Sequence, residues 1–413
     1  MTRGKHMTVR HSMRKYVLLV GDGMADYALE ELGGKTPLEV AETPHMDSIA
    51  ACRIGLARTI PESMDPGSDV ATLSLMGYDP RAYYTGRGPL EAASMGIALR
   101  ANQVAFRMNL VTLDFRSDQE IIMKSHSSGN ISSDESASIL KDFNGGLDVP
   151  GVEIHRGVAY RHLLLWESCP EDVLTIPPHD VVEQNMAPYL NEMSENPVPQ
   201  LIRRSWDILR DHPINLNRRE QGLHEANSIW PWGQGRAPQL PRFRERCGID
   251  GAVISAVDLV KGIGVYIGFA PIHVQGATGY LDTNYRGKAE AALKGLRDRD
   301  FIFLHVEAPD EAGHNADIGE KIEAIEKFDE QVVGPVLEGL KDFEDYRIMV
   351  ASDHLTPIPR RTHTDDPTPF AWGSKGELES HPEGFPFSEA AARESGLFFG
   401  VGHELIDSFL FED

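Results

Sequence analysis

The chain has 413 residues, 41% of them hydrophobic, which is enough for two domains with cores of their own. Its formal charge of −23 is spread without a long acidic block, which argues against holding nucleic acid through phosphates, although a bound cation could reverse the local field for a small anion. Three cysteines without CxxC spacing (Cys52, Cys169, Cys247) and no apolar run of membrane-spanning length point to a cytoplasmic protein without disulfides, a thiolate metal site or a membrane span.

Residues 1–14 are basic and weakly patterned, with Met7 and Met13 as alternative starts, and they read as a disordered extension. The apolar run 16–20 then predicts a strand that breaks at Gly21-Asp22-Gly23. Asp22 is either a turn former or a ligand on a loop where glycine lets the backbone approach closely. Further on, Pro66-Gly67 ends an irregular loop and Ser68 opens an apolar-rich segment. A serine there caps a helix, or else it uses the same N-terminus as a nucleophile favoured by an anion-binding backbone.

The middle of the chain has a different texture, with strand-like runs at 105–113 and 160–166, polar stretches, and turns such as Pro177-Pro178. It reads as an inserted domain, 102–234, dividing a second domain into 15–101 and 235–413. Apolar runs at 252–257, 301–306 and 346–352 each end in an acidic residue, as does the first strand. Such continuous runs predict strands buried on both faces, and helical patterns between them predict crossovers, so the fold class is α/β around a mostly parallel sheet. The clearest helix is expected over 320–340, with Ile322, Ile325, Phe328, Val332, Val333 and Val336 near helical spacing. Ligands of such sheets gather beyond the carboxyl ends of the strands.

Three separated segments supply metal-ligand chemistry: Asp310-Glu311-Ala312-Gly313-His314, Asp353-His354, and His363 within Arg361-Thr362-His363-Thr364. Together they offer mixed oxygen and nitrogen donors for two divalent ions. Asp310 and His314 align only if their stretch is helical; otherwise they are an exposed Asp and a capping His. Asp353-His354 follows the apolar Ile348-Met349-Val350-Ala351 and must be solvated, paired or metal-bound. His363 is one of 16 histidines and gains meaning only from these neighbours.

Taken in order, Gly21-Asp22-Gly23-Met24-Ala25-Asp26, Pro66-Gly67-Ser68-Asp69, Gly77-Tyr78-Asp79-Pro80, Tyr84-Thr85-Gly86-Arg87-Gly88-Pro89, Gly276-Ala277-Thr278-Gly279-Tyr280, Asp310 to His314 and Ser352-Asp353-His354 resemble the archaeal-type cofactor-independent phosphoglycerate mutases. Those enzymes belong to the alkaline phosphatase superfamily, so the resemblance implies an alkaline-phosphatase-like sheet with helices on both faces, interrupted by a smaller α/β insert. It implies that Ser68 is the nucleophile and shares one metal with Asp22, Asp353 and His354. The second metal falls to Asp310, His314 and His363. The implied ions are two Mn2+, and the donor set would also accept zinc, cobalt, iron or magnesium.

The implied substrate is a small phosphorylated acid, and the implied reaction interconverts 3-phosphoglycerate and 2-phosphoglycerate through a phosphoserine. Arg161, Arg236 and Lys261 are candidates to clamp phosphate or carboxylate, and each could equally be a surface charge or part of an ion pair. His126 could bind phosphate or be an exposed loop histidine, in a loop that departs from the family at Asn130. The alternatives are a homoserine-kinase-like transfer, suggested by Trp232-Gly233-Gln234-Gly235-Arg236-Ala237-Pro238, a metal-dependent phosphatase, and a non-catalytic binding protein on the same fold.

Overall fold

The computed structural model describes residues 14–191 and 196–412. Arg14 opens the first strand, and the rest of the expected N-terminal extension lies outside the described residues. The chain divides into two compact units, one made of the residues up to Tyr84 with those from Leu240 onward, the other of Thr85–Gln239.

The first unit is built on an eight-stranded sheet in the order Phe398–Phe399, Ile54–Ala57, Thr368–Ser374, Asp345–Ala351, Arg14–Gly21, Phe301–Val306, Gly251–Ile254, Ala270–Pro271. The five strands from Asp345–Ala351 onward are mutually parallel, and Thr368–Ser374 runs antiparallel to both its neighbours. Val17, Leu18, Leu19 and Val20 are fully buried because helices cover both faces, which is why the run is continuously apolar. Each such side chain contributes about 1.5–3 kcal/mol of burial. Register sets the end of the sheet: Gly21 pairs with Val306 and Val20 with Ala351. The chain segments leaving the three central strands therefore start level with one another, and Asp22, Asp310 and Asp353 lie on them.

The long helix expected over 320–340 is interrupted. Ile318–Phe328 and Gly334–Leu340 are α-helical, and Asp329–Val333 between them is a π-turn. Pro335 lacks the N–H of a regular α-ladder, and the wider turn relieves that conflict. The same turn aims the Asp329 carboxylate at the backbone N–H groups of His45 and Met46, which open the helix Pro44–Ala50.

The second unit has a five-stranded antiparallel sheet. Its long strand Gln103–Ser117 pairs with Glu120–Ser125, Arg161–Glu167 and Ser228–Gly235, and Val152–Val158 completes it beside Arg161–Glu167. The unit begins before the expected junction near residues 100–102. The helix Arg87–Ser94 belongs to it: Ala92 packs with Ala105, Leu163 and Leu165, and Glu91 pairs with Arg107 at 2.9 Å. Among the described residues no helix is long and apolar enough to cross a membrane.

Candidate metal centre

The centre lies wholly in the first unit and is assembled from loops at the carboxyl ends of the central strands. Phe301–Val306 runs straight into the helix Ala308–Asn315, so Asp310 and His314 fall one turn apart on it. His314 Nε2 stands 3.2 Å from Asp310 Oδ2, and His363 Nε2 stands 3.4 Å from Asp310 Oδ1. The two imidazole Nε2 atoms face each other at 2.9 Å, a contact that requires a shared proton or a shared cation. His314 Nδ1 is held by the Arg361 carbonyl at 3.0 Å and His363 Nδ1 by the Pro66 carbonyl at 3.3 Å.

The second group surrounds Asp22. His354 Nε2 lies 3.3 Å from Asp22 Oδ1 and 3.5 Å from Asp353 Oδ2. Asp353 Oδ1 accepts the N–H of Gly23 at 3.1 Å, which pins the loop after the first strand to the loop after Asp345–Ala351. Ser68 is the first residue of the helix Ser68–Leu75, and Gly67 occupies the cap position. Its hydroxyl makes no capping bond; it stands 3.3 Å from Asp22 Oδ2 and 3.2 Å from His354 Nε2. Of the two uses its sequence allowed, capping is therefore the one not realised.

Electrostatics show what the group lacks. Burial, followed by the charges of Asp353 and Asp310, holds the Asp22 carboxyl well above its usual range, and burial also raises Asp353. Burial lowers His354 to about 3, so its imidazole is neutral and its nitrogen is available as a donor atom. Asp310 goes the other way: burial would raise it, but hydrogen bonds from His314 and His363 bring it well below its usual range. Burial likewise works against the proton on His314, yet its bond to Asp310 leaves it raised to about 9. Asp22 Oδ1 and Asp353 Oδ2 are buried without a hydrogen-bond partner. Orphaned carboxylate oxygens beside the neutral His354 imidazole fit a divalent cation, and two sets of three residues have donor atoms close enough to share one: Asp22, Asp353, His354, and Asp310, His354, His363.

The supporting residues carry little signal in the sequence. Thr356 donates to Asp310 Oδ1 and lies 3.3 Å from His354 Nδ1, so it joins the two sets. Lys321, fully buried, bonds Asp26 Oδ2 at 2.7 Å, the Thr356 carbonyl at 2.8 Å and the Ala25 carbonyl at 3.3 Å. Lys321→Met would leave the Asp26 carboxylate buried without its ion-pair partner, and a loss of about 3–5 kcal/mol in denaturant unfolding is expected; a change under about 1 kcal/mol would show that this network does not hold the loops. Gly23 sits at φ 58° where an added Cβ would lie 2.5 Å from Thr356 Oγ1 and 2.7 Å from Asp310 Oδ1. Gly23→Ala should cost about 1–3 kcal/mol through this crowding and strain and should weaken manganese binding in calorimetry; unchanged affinity would contradict the close approach.

The chain as a whole is similar to known proteins. The family model described as 2,3-bisphosphoglycerate-independent phosphoglycerate mutase matches residues 50–215, and that of type I phosphodiesterase / nucleotide pyrophosphatase matches residues 179–369. The 2,3-bisphosphoglycerate-independent phosphoglycerate mutase of Methanothrix thermoacetophila is 49% identical over 395 residues, covering 95% of this chain and 98% of its own length. The chain belongs to the 2,3-bisphosphoglycerate-independent phosphoglycerate mutase family. The mutase of Methanosarcina barkeri agrees, at 48% identity over 95% of this chain and 98% of its own. Among solved structures, the PH0037 protein of Pyrococcus horikoshii is similar with a TM-score of 0.79 and 30% identity over 96% of both chains. The cofactor-independent phosphoglycerate mutase of Thermoplasma acidophilum shares the fold, with a TM-score of 0.61 at 23% identity over 96% of this chain and 99% of that one.

Seven residues singled out in this mutase-family sequence, Asp22, Ser68, Asp310, His314, Asp353, His354 and His363, thus come together. Of the four expected clamp residues, Arg161, Arg236 and His126 belong to the second unit and Lys261 to the first. Lys261, on the helix Asp258–Tyr266, pairs with Asp258 at 2.8 Å. Arg236 pairs with Glu171 at 2.9 Å and donates to the carbonyls of Ala101 and Cys169. Arg161 is exposed and lies over the Tyr160 ring at 5.5 Å, and His126 meets Tyr160 and His179 edge-on. The second unit also holds Arg87 and Arg107 over the Trp232 ring at 5.4 and 5.0 Å, two cations the sequence did not single out as ligand contacts.

Sequence reasoning also missed His305. It is fully buried in the strand Phe301–Val306, and its Nε2 lies 3.0 Å from Asp22 Oδ2. The signal was present, because a histidine interrupting Phe-Ile-Phe-Leu-His-Val must be hydrogen-bonded or bound.

Proposed function

We propose that this chain interconverts 3-phosphoglycerate and 2-phosphoglycerate through a phosphoserine at Ser68, with two divalent ions, manganese first among them. The observation that carries the reading is the Ser68 hydroxyl, turned away from its helix cap and set 3.2–3.3 Å from His354 and Asp22. The names of the relatives, identical at nearly half of all positions along nearly the whole chain, support the substrate pair.

When bound, the ions would supply Lewis acidity toward the phosphoryl oxygens and the Ser68 hydroxyl. Asp22, Asp353 and His354 would hold one of them with Ser68, and Asp310, His314 and His363 the other. Ser68 Oγ attacks the phosphorus in line: a serine O–P bond forms, the ester C–O–P link breaks at the phosphorus, and the serine proton ends on the freed glycerate oxygen. The neighbouring glycerate hydroxyl then takes the phosphoryl group back, and Ser68 recovers its proton. Water must be kept out, since a phosphoserine is otherwise hydrolysed. Arg161 and His126 are the residues this reading gives to the anionic ends of the substrate, whereas Arg236 and Lys261 are already engaged by carboxylates.

The purified protein with manganese should convert 3-phosphoglycerate to 2-phosphoglycerate, followed by coupling to enolase. Absence of that product at every metal concentration would sink the mutase reading, and ATP-dependent formation of phosphohomoserine from homoserine would replace it with a kinase-like transfer.

A further inference from the structure

Four histidines around the metal centre share one arrangement, and only three of them belong to the two ligand sets above. In His314, His354 and His363, Nδ1 is held by an oxygen, from Arg361, Thr356 and Pro66 respectively, and Nε2 faces a carboxylate. His305 repeats it. Its Nδ1 lies 3.3 Å from Ser255 Oγ, itself fixed by the Val257 N–H at 2.9 Å, and its Nε2 faces Asp22. An imidazole whose second nitrogen is anchored by an outer oxygen is the usual state of a metal-ligating histidine.

The Nε2 atom has no use in the protein as it stands. It approaches Asp22 Oδ2 at 3.0 Å without making a hydrogen bond, and the residue is fully buried, so bulk water does not reach it. Two other buried atoms close by are orphaned in the same way, Asp22 Oδ1 and Asp353 Oδ2. Burying unmet polar atoms is costly, and a cation beside Asp22 would relieve that cost for each donor it binds.

The spacings agree. Ligand atoms about 2.1 Å from a common ion stand about 3.0 to 3.4 Å apart along octahedral or tetrahedral edges. The contacts are 3.0 Å from His305 Nε2 to Asp22 Oδ2, 3.3 Å from Ser68 Oγ to Asp22 Oδ2, 3.3 Å from His354 Nε2 to Asp22 Oδ1 and 3.2 Å from Ser68 Oγ to His354 Nε2. His305 shares its strand face with Phe301 and Phe303, which are buried, so apolar packing on that side does not call for a polar residue here.

We propose that His305 is a further ligand of the cation bound at Asp22, with Ser255 orienting its ring. This rests on the metal-dependent reading above and deepens it: the Asp22 site becomes a two-histidine site with two carboxylates and Ser68, a donor set suited to manganese, cobalt or zinc rather than magnesium.

Cobalt(II) is the probe. In the cobalt-loaded protein each coordinated imidazole with a free ring N–H gives a paramagnetically shifted, exchangeable proton resonance. The wild-type protein should show four, from His305, His314, His354 and His363, and His305→Gln should remove one and weaken cobalt binding by at least about tenfold. Three resonances in the wild type would overturn the assignment, as would a His305→Gln protein that keeps all of them, even with weakened binding. The wild-type count needs no variant to fold, and thermal melting with His305→Ala as a second variant checks that the fold is kept. Failure of the wild-type protein to bind cobalt at all would instead overturn the metal-dependent reading on which the assignment stands.

Discussion

Ser68→Ala is expected to lower the rate of phosphoglycerate interconversion by at least about four orders of magnitude, the scale seen when a nucleophile is deleted from a hydrolase site. The Ser68 hydroxyl does not cap its helix, so its loss should leave the helix Ser68–Leu75 and the unfolding temperature nearly unchanged. Asp22, Asp353 and His354 keep their own spacing without it, and manganese should still bind. Loss of rate with retention of fold and metal separates a nucleophile from a structural serine. Residual activity within about tenfold of wild type would mean that the phosphoryl group never passes through this residue.

Removing divalent ions with a chelator is expected to have an effect of similar size on rate and a second one on stability. Asp22, Asp353 and Asp310 are buried within one cluster, and burial holds the first two above the usual carboxylate range, with the charge of Asp310 adding to both. The stripped protein keeps the cost of burying Asp22 and Asp353 without the ion that offsets it. The loaded protein gains stability by mass action, about 4 kcal/mol when the free ion stands a thousandfold above its dissociation constant. The rate should fall at least about a thousandfold, the unfolding midpoint should drop, and added manganese should restore both. Full activity in protein shown by elemental analysis to hold no metal would contradict this.

Much of the centre was legible because its parts sit where polar residues are out of place. Asp353 and His354 stand at the end of an apolar strand, and Asp310 and His314 lie one helical turn apart, so local rules could single them out. His305 carried the same signal inside Phe301–Val306 and was overlooked amid its apolar neighbours. Not every acid-ended strand mattered: Asp258 follows Gly251–Ile254 only to pair with Lys261.

Other parts depend on contacts that local patterns do not encode. Ser68 fits a cap or a nucleophile equally well until Asp22 and His354 are folded against it. Lys321 meets Asp26 across 295 positions of sequence, and nothing in either neighbourhood announces the pair. The second unit starts at Thr85 and not near residue 102 because the helix Arg87–Ser94 packs on Gln103–Ser117, a contact that no local pattern encodes.

The measurement that reaches the central claim most directly is rapid acid quenching of the manganese-loaded protein during turnover of 3-phosphoglycerate, followed by mass spectrometry of the peptide containing Ser68. The account predicts one phosphoryl group on Ser68 that accumulates and decays with turnover and is absent without metal. Sustained formation of 2-phosphoglycerate with Ser68 unmodified at every quench time, or with the phosphoryl group on another residue, would contradict it.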